Sequence, residues 1–187
     1  MKKYTLIGAG GHAKAIVETI QAAGDAIAEY VDPVEADWLC VPWVTDDSAP
    51  HEHMNIALGV GGIAPNLLFQ RLNLLENYLA RGYSAPPIIH VDARVSTSAE
   101  LESGVVVLAG AIIQPAARVS KGVIVNTAAV VEHDCVIEPG VHIAPGAIVL
   151  GGCRIGMCAM IGAGAVILPA ATVPARSTVP ALTRYSN

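Results

Sequence analysis

Residues 119–137 read VSKGVIVNTAAVVEHDCVI, and within them Val119, Val125, Val131 and Ile137 recur at a spacing of six. The register runs outward in both directions without an insertion. Ile89, Val95, Leu101, Val107 and Ile113 precede it, and Ile143, Val149, Ile155, Ile161, Ile167, Val173 and Val179 follow, so that sixteen assigned positions are all aliphatic. A fixed short period held this long is the signature of a solenoid built from repeats.

A second ladder runs beside the first. Four places after each aliphatic stands a small or short-branched residue, among them Ala111, Ala117, Ala129, Cys135, Ala147, Cys153, Ala159, Ala165 and Ala171. One bulky and one small inward position per hexad suit a three-sided prism, in which the aliphatic fills the interior and the small residue lets the chain bend. Three hexads then make a coil, residues eighteen apart stack at the parallel-strand spacing of about 4.8 Å, and about five coils form one cooperative core.

The repeat accounts for only the second half of the 187 residues. Gly82, Tyr83, Ser84, Ala85, Pro86 and Pro87 form the boundary, because Pro-Pro blocks helix continuation and favours extended chain. This divides the chain into residues 1–85 and 86–187. The net charge of −5 and the absence of a basic stripe argue against an electrostatic nucleic-acid binder. The opening run Met1–Ile7 is too short for a signal peptide or a membrane span, which predicts a cytoplasmic protein. Cys40, Cys135, Cys153 and Cys158 show no CxxC spacing; Cys135 and Cys153 occupy small inward slots, so they read as packing residues and no metal site is predicted.

In the first part, Lys3–Ile7 reads as a buried strand, followed by a glycine turn (Gly8, Gly10, Gly11) with His12, and an amphipathic helix over 15–23. Strand, glycine turn and helix form the order of a phosphate-binding unit, since glycines allow close backbone approach and the helix N-terminus offers free N–H groups to an anion. A second strand over 26–31 ends at Asp32, whose carboxylate can accept hydrogen bonds from a ribose or a base. A third strand over 55–58 opens into Gly59, Gly61 and Gly62, and a helix is predicted over 65–80. Three parallel strands with their loops at one edge predict a half-Rossmann unit. Gly8, Gly10, Ala13 and Asp32 also match a dinucleotide fingerprint, but a dinucleotide needs two mononucleotide halves and there is room for one. A turn used only for packing stays open beside nucleotide binding.

Among the hexads, polar residues gather at Asn126, Glu132, His133 and Asp134, with His142 in the hexad beyond. His133 lies two places after Val131, where a side chain projects outward. A carboxylate on the second imidazole nitrogen would orient the ring and strengthen it as a general base, a role worth about 10² to 10⁴ in rate. A solvated surface histidine is the alternative. Three-histidine zinc chemistry, as in the gamma-class carbonic anhydrases on a similar solenoid, lacks a third ligand at suitable spacing to His133 and His142.

The glycine-histidine motif at 8–14, the unbroken hexads and the motif from Asn126 through Glu132, His133 and Asp134 resemble the hexapeptide-repeat acyltransferases. They are most similar to the sialic acid O-acetyltransferase family, which includes the UDP-4-amino-sugar N-acetyltransferases. The resemblance implies a left-handed parallel β-helix, an exception to the right-handed crossover rule, assembled as a homotrimer with active sites between prisms. It implies acetyl-CoA as co-substrate and transfer to the amine of a nucleotide sugar, in surface polysaccharide or glycan synthesis. By position, His133 matches the general base, Asp134 the acid beside it and Asn126 a residue near the acceptor amine. His142, Gly151 and Ala163 match acetyl-CoA contacts; Gly10, Gly11, His12, Asp32 and Gly59 match nucleotide-sugar contacts. Pro33 stands where some relatives carry a second acid, and residues 180–187 stand in place of a Gly-x-Pro-Ala-Lys-like tail. The same base would serve O-acetylation of a sugar hydroxyl, and a non-catalytic sensor of nucleotide sugars is the competing class.

Overall fold

A computed structural model describes residues 1–45 and 55–187. The first part is a parallel sheet with two helices: β1 (Lys3–Ile7), α1 (Gly11–Ala22), β2 (Ala26–Val31), β3 (Trp43–Val44), β4 (Ile56–Leu58) and α2 (Pro65–Ala80). The strand order is β3-β2-β1-β4, so the sheet has four strands where three were expected. Strand β3 was missed because two residues carry no periodicity; it pairs Trp43 with Tyr30 and Val44 with Val31. Helix α1 begins at Gly11, earlier than predicted, which puts Gly11 and His12 in its first turn with Gly10 as the cap. Helix α2 has the predicted bounds; Pro65 opens it at a position whose N–H needs no helical partner.

Two-residue strands then recur every six residues from β5 (Ile88–Ile89), β6 (Arg94–Val95) and β7 (Glu100–Leu101) to β21 (Arg184–Tyr185). They form three parallel sheets, one of five strands and two of six, making a β-solenoid of about five turns. Residues eighteen apart pair as predicted: Val119 with Ile137, Val125 with Ile143, Val131 with Val149. From Val107 to Val179 every aliphatic rung is buried, and the small ladder beside it packs into the same core. Ile89, in the end coil with a neighbour on one side only, is 37% exposed. The six-residue register continues past Val179 to Tyr185, whose ring packs against the core.

The bend lies elsewhere than predicted. The backbone turns three places after the rung, where Gly110, Ala116, Gly122, Ala128, Asp134, Gly140, Gly146 and Gly152 all have φ between 55 and 70°. The small residue one place later points inward and is small because three faces converge on it.

Each sheet presents a different outer surface. The sheet containing β5, β8 (Val106–Val107), β11 (Ile124–Val125), β14 (His142–Ile143) and β17 (Met160–Ile161) is covered by the N-terminal part, burying Val106, Ile124, His142 and Met160. The sheet containing β9 (Ile112–Ile113), β12 (Val130–Val131), β15 (Ile148–Val149) and β18 (Val166–Ile167) turns a half-buried apolar stripe outward: Ile112, Val130, Ile148 and Val166. The third sheet is mostly polar outside, with Glu100, Arg118, Arg154 and Thr172 around a single apolar Val136.

Candidate active site

Polar side chains concentrate at two corners of the prism, one at each edge of the apolar-striped sheet. At the corner after β12, His133 and Asp134 are exposed, and His133 Nδ1 lies 2.7 Å from Asp134 Oδ2. The pairing follows from the corner geometry, since Asp134 occupies the bend position with φ 61°, a conformation that aspartate tolerates better than most residues. A carboxylate accepts, so Nδ1 carries the hydrogen, and in the neutral ring the lone pair is then on Nε2. Gly151, one coil on, lies against that edge of the ring.

At the corner before β12 stands Asn126. Its Nδ2 lies 3.0 Å from His142 Nε2, and its Oδ1 accepts from the Thr127 N–H at 2.8 Å. His142 Nδ1 lies 2.7 Å from the carbonyl oxygen of Gly62. His142 is therefore a buried ring facing the N-terminal part, with both nitrogens engaged. Burial, reinforced by the charge of Arg71, lowers its pKa even against the opposing Gly62 bond. Ala163 is exposed at this corner, two coils above Thr127. Asn126 and His133 are thus not brought together within one chain; a full face of the prism separates them, and Ala163 and Gly151 divide in the same way.

Of the nucleotide-sugar candidates, His12 is linked to the Asn126 corner through the loop of Gly61 and Gly62 and through His142. Gly10 and Gly11 are open, with nothing within 4 Å of an added Cβ, and the α1 N-terminus has no side-chain cap. Asp32 accepts from the Ala9 N–H at 2.8 Å and from the Val34 N–H at 2.9 Å, which fixes its carboxylate beside the glycine turn. His12 is largely enclosed, its Nε2 buried without a partner. Burial first, then the charges of Arg71 and His142, bring its pKa down to about 4. Gly59 is closely packed: a Cβ there would meet the Gly8 carbonyl oxygen at 2.0 Å and Ala13 at 2.8 Å.

Arg71 was missed by sequence reasoning. It is fully buried, donating from Nε to the Val60 carbonyl at 2.9 Å and from Nη1 to the Gly122 carbonyl of the solenoid. The signal available was an arginine within the apolar stripe Leu68, Leu72 and Leu75 of α2. Cys135 and Cys153 sit in the core as predicted, their thiols donating to the Leu150 and Leu168 carbonyls, and burial pushes Cys135 up to about 11. Among the described residues no three histidine, cysteine or acidic side chains converge as a metal-holding group, and no helix is long and apolar enough to cross a membrane.

A parallel hexad solenoid carrying an outward His–Asp pair, joined to a small α/β unit, defines the class of hexapeptide transferases. The bacterial transferase hexapeptide (six repeats) family matches residues 134–169. Among solved structures, the acetyltransferase domain of PglB from Neisseria gonorrhoeae FA1090 is 36% identical over 99% of this chain and 91% of its own, with a TM-score of 0.89. The same domain with acetyl coenzyme A is 37% identical over 97% and 89%, with a TM-score of 0.87. PerB from Caulobacter crescentus, in complex with CoA and GDP-perosamine, is 32% identical over 99% and 88%, also with a TM-score of 0.89. No curated protein sequence matches significantly. The chain belongs to the hexapeptide-repeat acyltransferase family, and it is an acyltransferase.

Proposed function

We propose that the protein transfers an acetyl group from acetyl-CoA to the amino group of a nucleotide-linked amino sugar, of the 4-amino-dideoxy type. The single observation that carries this reading is the exposed His133–Asp134 pair, with Nε2 turned away from the carboxylate and toward Gly151. Complexes of the relatives with acetyl coenzyme A and with CoA and GDP-perosamine support the two substrates. In the proposed step the sugar amine attacks the thioester carbonyl carbon and His133 Nε2 takes the amine proton. Backbone N–H groups of the groove hold the oxyanion. As the tetrahedral intermediate collapses, the C–S bond breaks and His133 returns the proton to the departing thiolate, giving the amide and CoA.

The functional unit is a homotrimer of left-handed prisms. The apolar stripe Ile112, Val130, Ile148 and Val166 supports an axis-facing sheet, and a cyclic arrangement about it would set the Asn126 corner of one copy beside the His133 corner of the next. Residues 1–85, half of a Rossmann unit, would hold the nucleotide sugar over the first corner through Gly10, Gly11, His12 and Asp32. Residues 86–187 would carry the transfer, with Gly151 and Ala163 lining opposite walls of the coenzyme groove. Acetyl-CoA as donor fits a cytoplasmic enzyme.

The test is release of CoA thiol from acetyl-CoA with a panel of UDP- and GDP-linked amino sugars and their hydroxyl counterparts. Release with an amino sugar alone is expected. Release only with hydroxyl sugars would make it an O-acetyltransferase, and binding without release would make it a sensor.

A further inference from the structure

The hydrogen bonds around His142 leave its ring a single state. A carbonyl oxygen only accepts, so Nδ1, 2.7 Å from Gly62 O, carries the hydrogen. Asn126 Oδ1 is occupied by the Thr127 N–H, which turns Nδ2 toward the ring. An amide nitrogen donates, so Nε2 at 3.0 Å accepts. A protonated ring would set two donors against each other at Asn126 while remaining buried at 5% exposure. The charged or titratable groups facing it, His12 from α1 and Arg71 from α2, also disfavour that form. Within the chain both nitrogens are committed, Nδ1 to Gly62 and Nε2 to Asn126.

Gly62 ends the loop that borders His12. A Cβ at Gly61 would lie 3.1 Å from His12 Cβ, so loop and imidazole are in contact. The loop is held through two carbonyls, Val60 by Arg71 and Gly62 by His142. Through His142 the hold reaches the amide of Asn126, at the corner facing the neighbouring copy in the proposed trimer. We propose that His142 is a positioning residue of the transfer reaction, its neutral ring hung from Gly62 and setting the side chain of Asn126 in register with the glycine loop. The proposal rests on the nucleotide-sugar reading above. Its effect is on the acceptor, not on acetyl-CoA.

Two measurements on the full-length protein test it. In ¹⁵N-histidine-labelled protein, the His142 resonances are expected to report the neutral Nδ1–H tautomer at pH 7 and to shift in Asn126→Ala; an Nε2–H tautomer overturns the proposal. In steady-state kinetics, loss of one such neutral hydrogen bond in His142→Ala is expected to lower kcat/KM for the nucleotide sugar about tenfold. KM for acetyl-CoA stays within about twofold, and Asn126→Ala/His142→Ala is no worse than Asn126→Ala alone. His142→Gln, which keeps an acceptor for Asn126, recovers part of the loss and guards against a folding defect. A rise in KM for acetyl-CoA with the sugar unaffected, or multiplicative losses in the double variant, overturns the assignment. Wild-type protein inert toward every nucleotide amino sugar, with the tautomer as expected, would locate the failure in the underlying reading and remove the proposal with it.

Discussion

Gly151 and His133 share one small space: a Cβ at residue 151 would lie 2.7 Å from both Cε1 and Nε2 of the imidazole. Gly151 has no positive φ to demand glycine, so the constraint comes from the ring. Because His133 is exposed, it can swing away from an added methyl at little cost to the fold, but doing so breaks its 2.7 Å bond to Asp134. Gly151→Ala is therefore expected to leave thermal stability within about 0.5 kcal/mol, while kcat falls toward that of His133→Ala, about 10² to 10⁴ below wild type. Steady-state kinetics beside a melting curve check both halves; unchanged turnover would mean that the ring does no proton transfer.

The placement of Asn126 and His133 at opposite edges of one sheet makes a complementation experiment decisive. His133→Ala and Asn126→Ala chains are each expected to be strongly impaired alone. Co-folded in equal amounts, they should recover about a quarter of wild-type activity, because one neighbour pairing in four joins an intact Asn126 corner to an intact His133 corner. Absence of recovery in demonstrably mixed oligomers would place both residues in sites made by a single chain.

The two enclosed histidines set an acid limit on stability. His12 keeps its proton off down to about pH 4, chiefly through burial, and the His142 pKa is lowered in the same direction and for the same first reason. Between the ordinary histidine value of about 6.5 and pH 4 the unfolded chain takes up protons that the folded chain refuses, so stability is whole above this window and is lost as pH falls through it. For His12 alone the loss by pH 4.5 is on the order of 2 to 3 kcal/mol. Urea midpoints at pH 7 and pH 4.5 measure it. The drop should shrink by about that amount in His12→Asn, and parallel curves for the two proteins would show that His12 is freely protonated in the fold.

The solenoid was legible because a six-residue period is a property of the covalent chain, and Ile113, Val131 and Val149 meet the same packing demand at every turn. Helix α2 was legible for a similar reason, with Pro65 to open it and Leu68, Leu72 and Leu75 on one face. The burial of His142 could have been read by counting in eighteens, since Ile124 and Val106 precede it at that interval and are apolar on a surface that would otherwise be wet. The same count puts Asn126 and His133 on different corners, one and two places past successive rungs. Arg71 was harder to read, because its partners are the carbonyls of Val60 and Gly122, which any residue can supply. The bend three places after the rung was obscured because its constraint is on φ and not on side-chain size: glycine holds it at Gly110 and Gly122, but Ala128, Asp134 and Arg176 hold it as well.

That mixed occupancy allows the backbone cost of a corner to be isolated. Gly146 has φ 66° and nothing within 4 Å of an added Cβ, so a substitution there meets no steric obstacle beyond its own backbone. Gly146→Val is expected to destabilise the protein by about 1 to 2 kcal/mol, the cost of left-handed backbone for a residue bearing a Cβ. Ala128, with φ 55°, already bears that cost. Ala128→Gly relieves it but gives back part of the gain through the larger entropy of an unfolded glycine, for a net stabilisation of about 0.5 to 1 kcal/mol. Chemical denaturation of the two variants gives opposite signs if the corners are turned by φ alone, whereas equal destabilisation by both would mean that side-chain packing sets the bend.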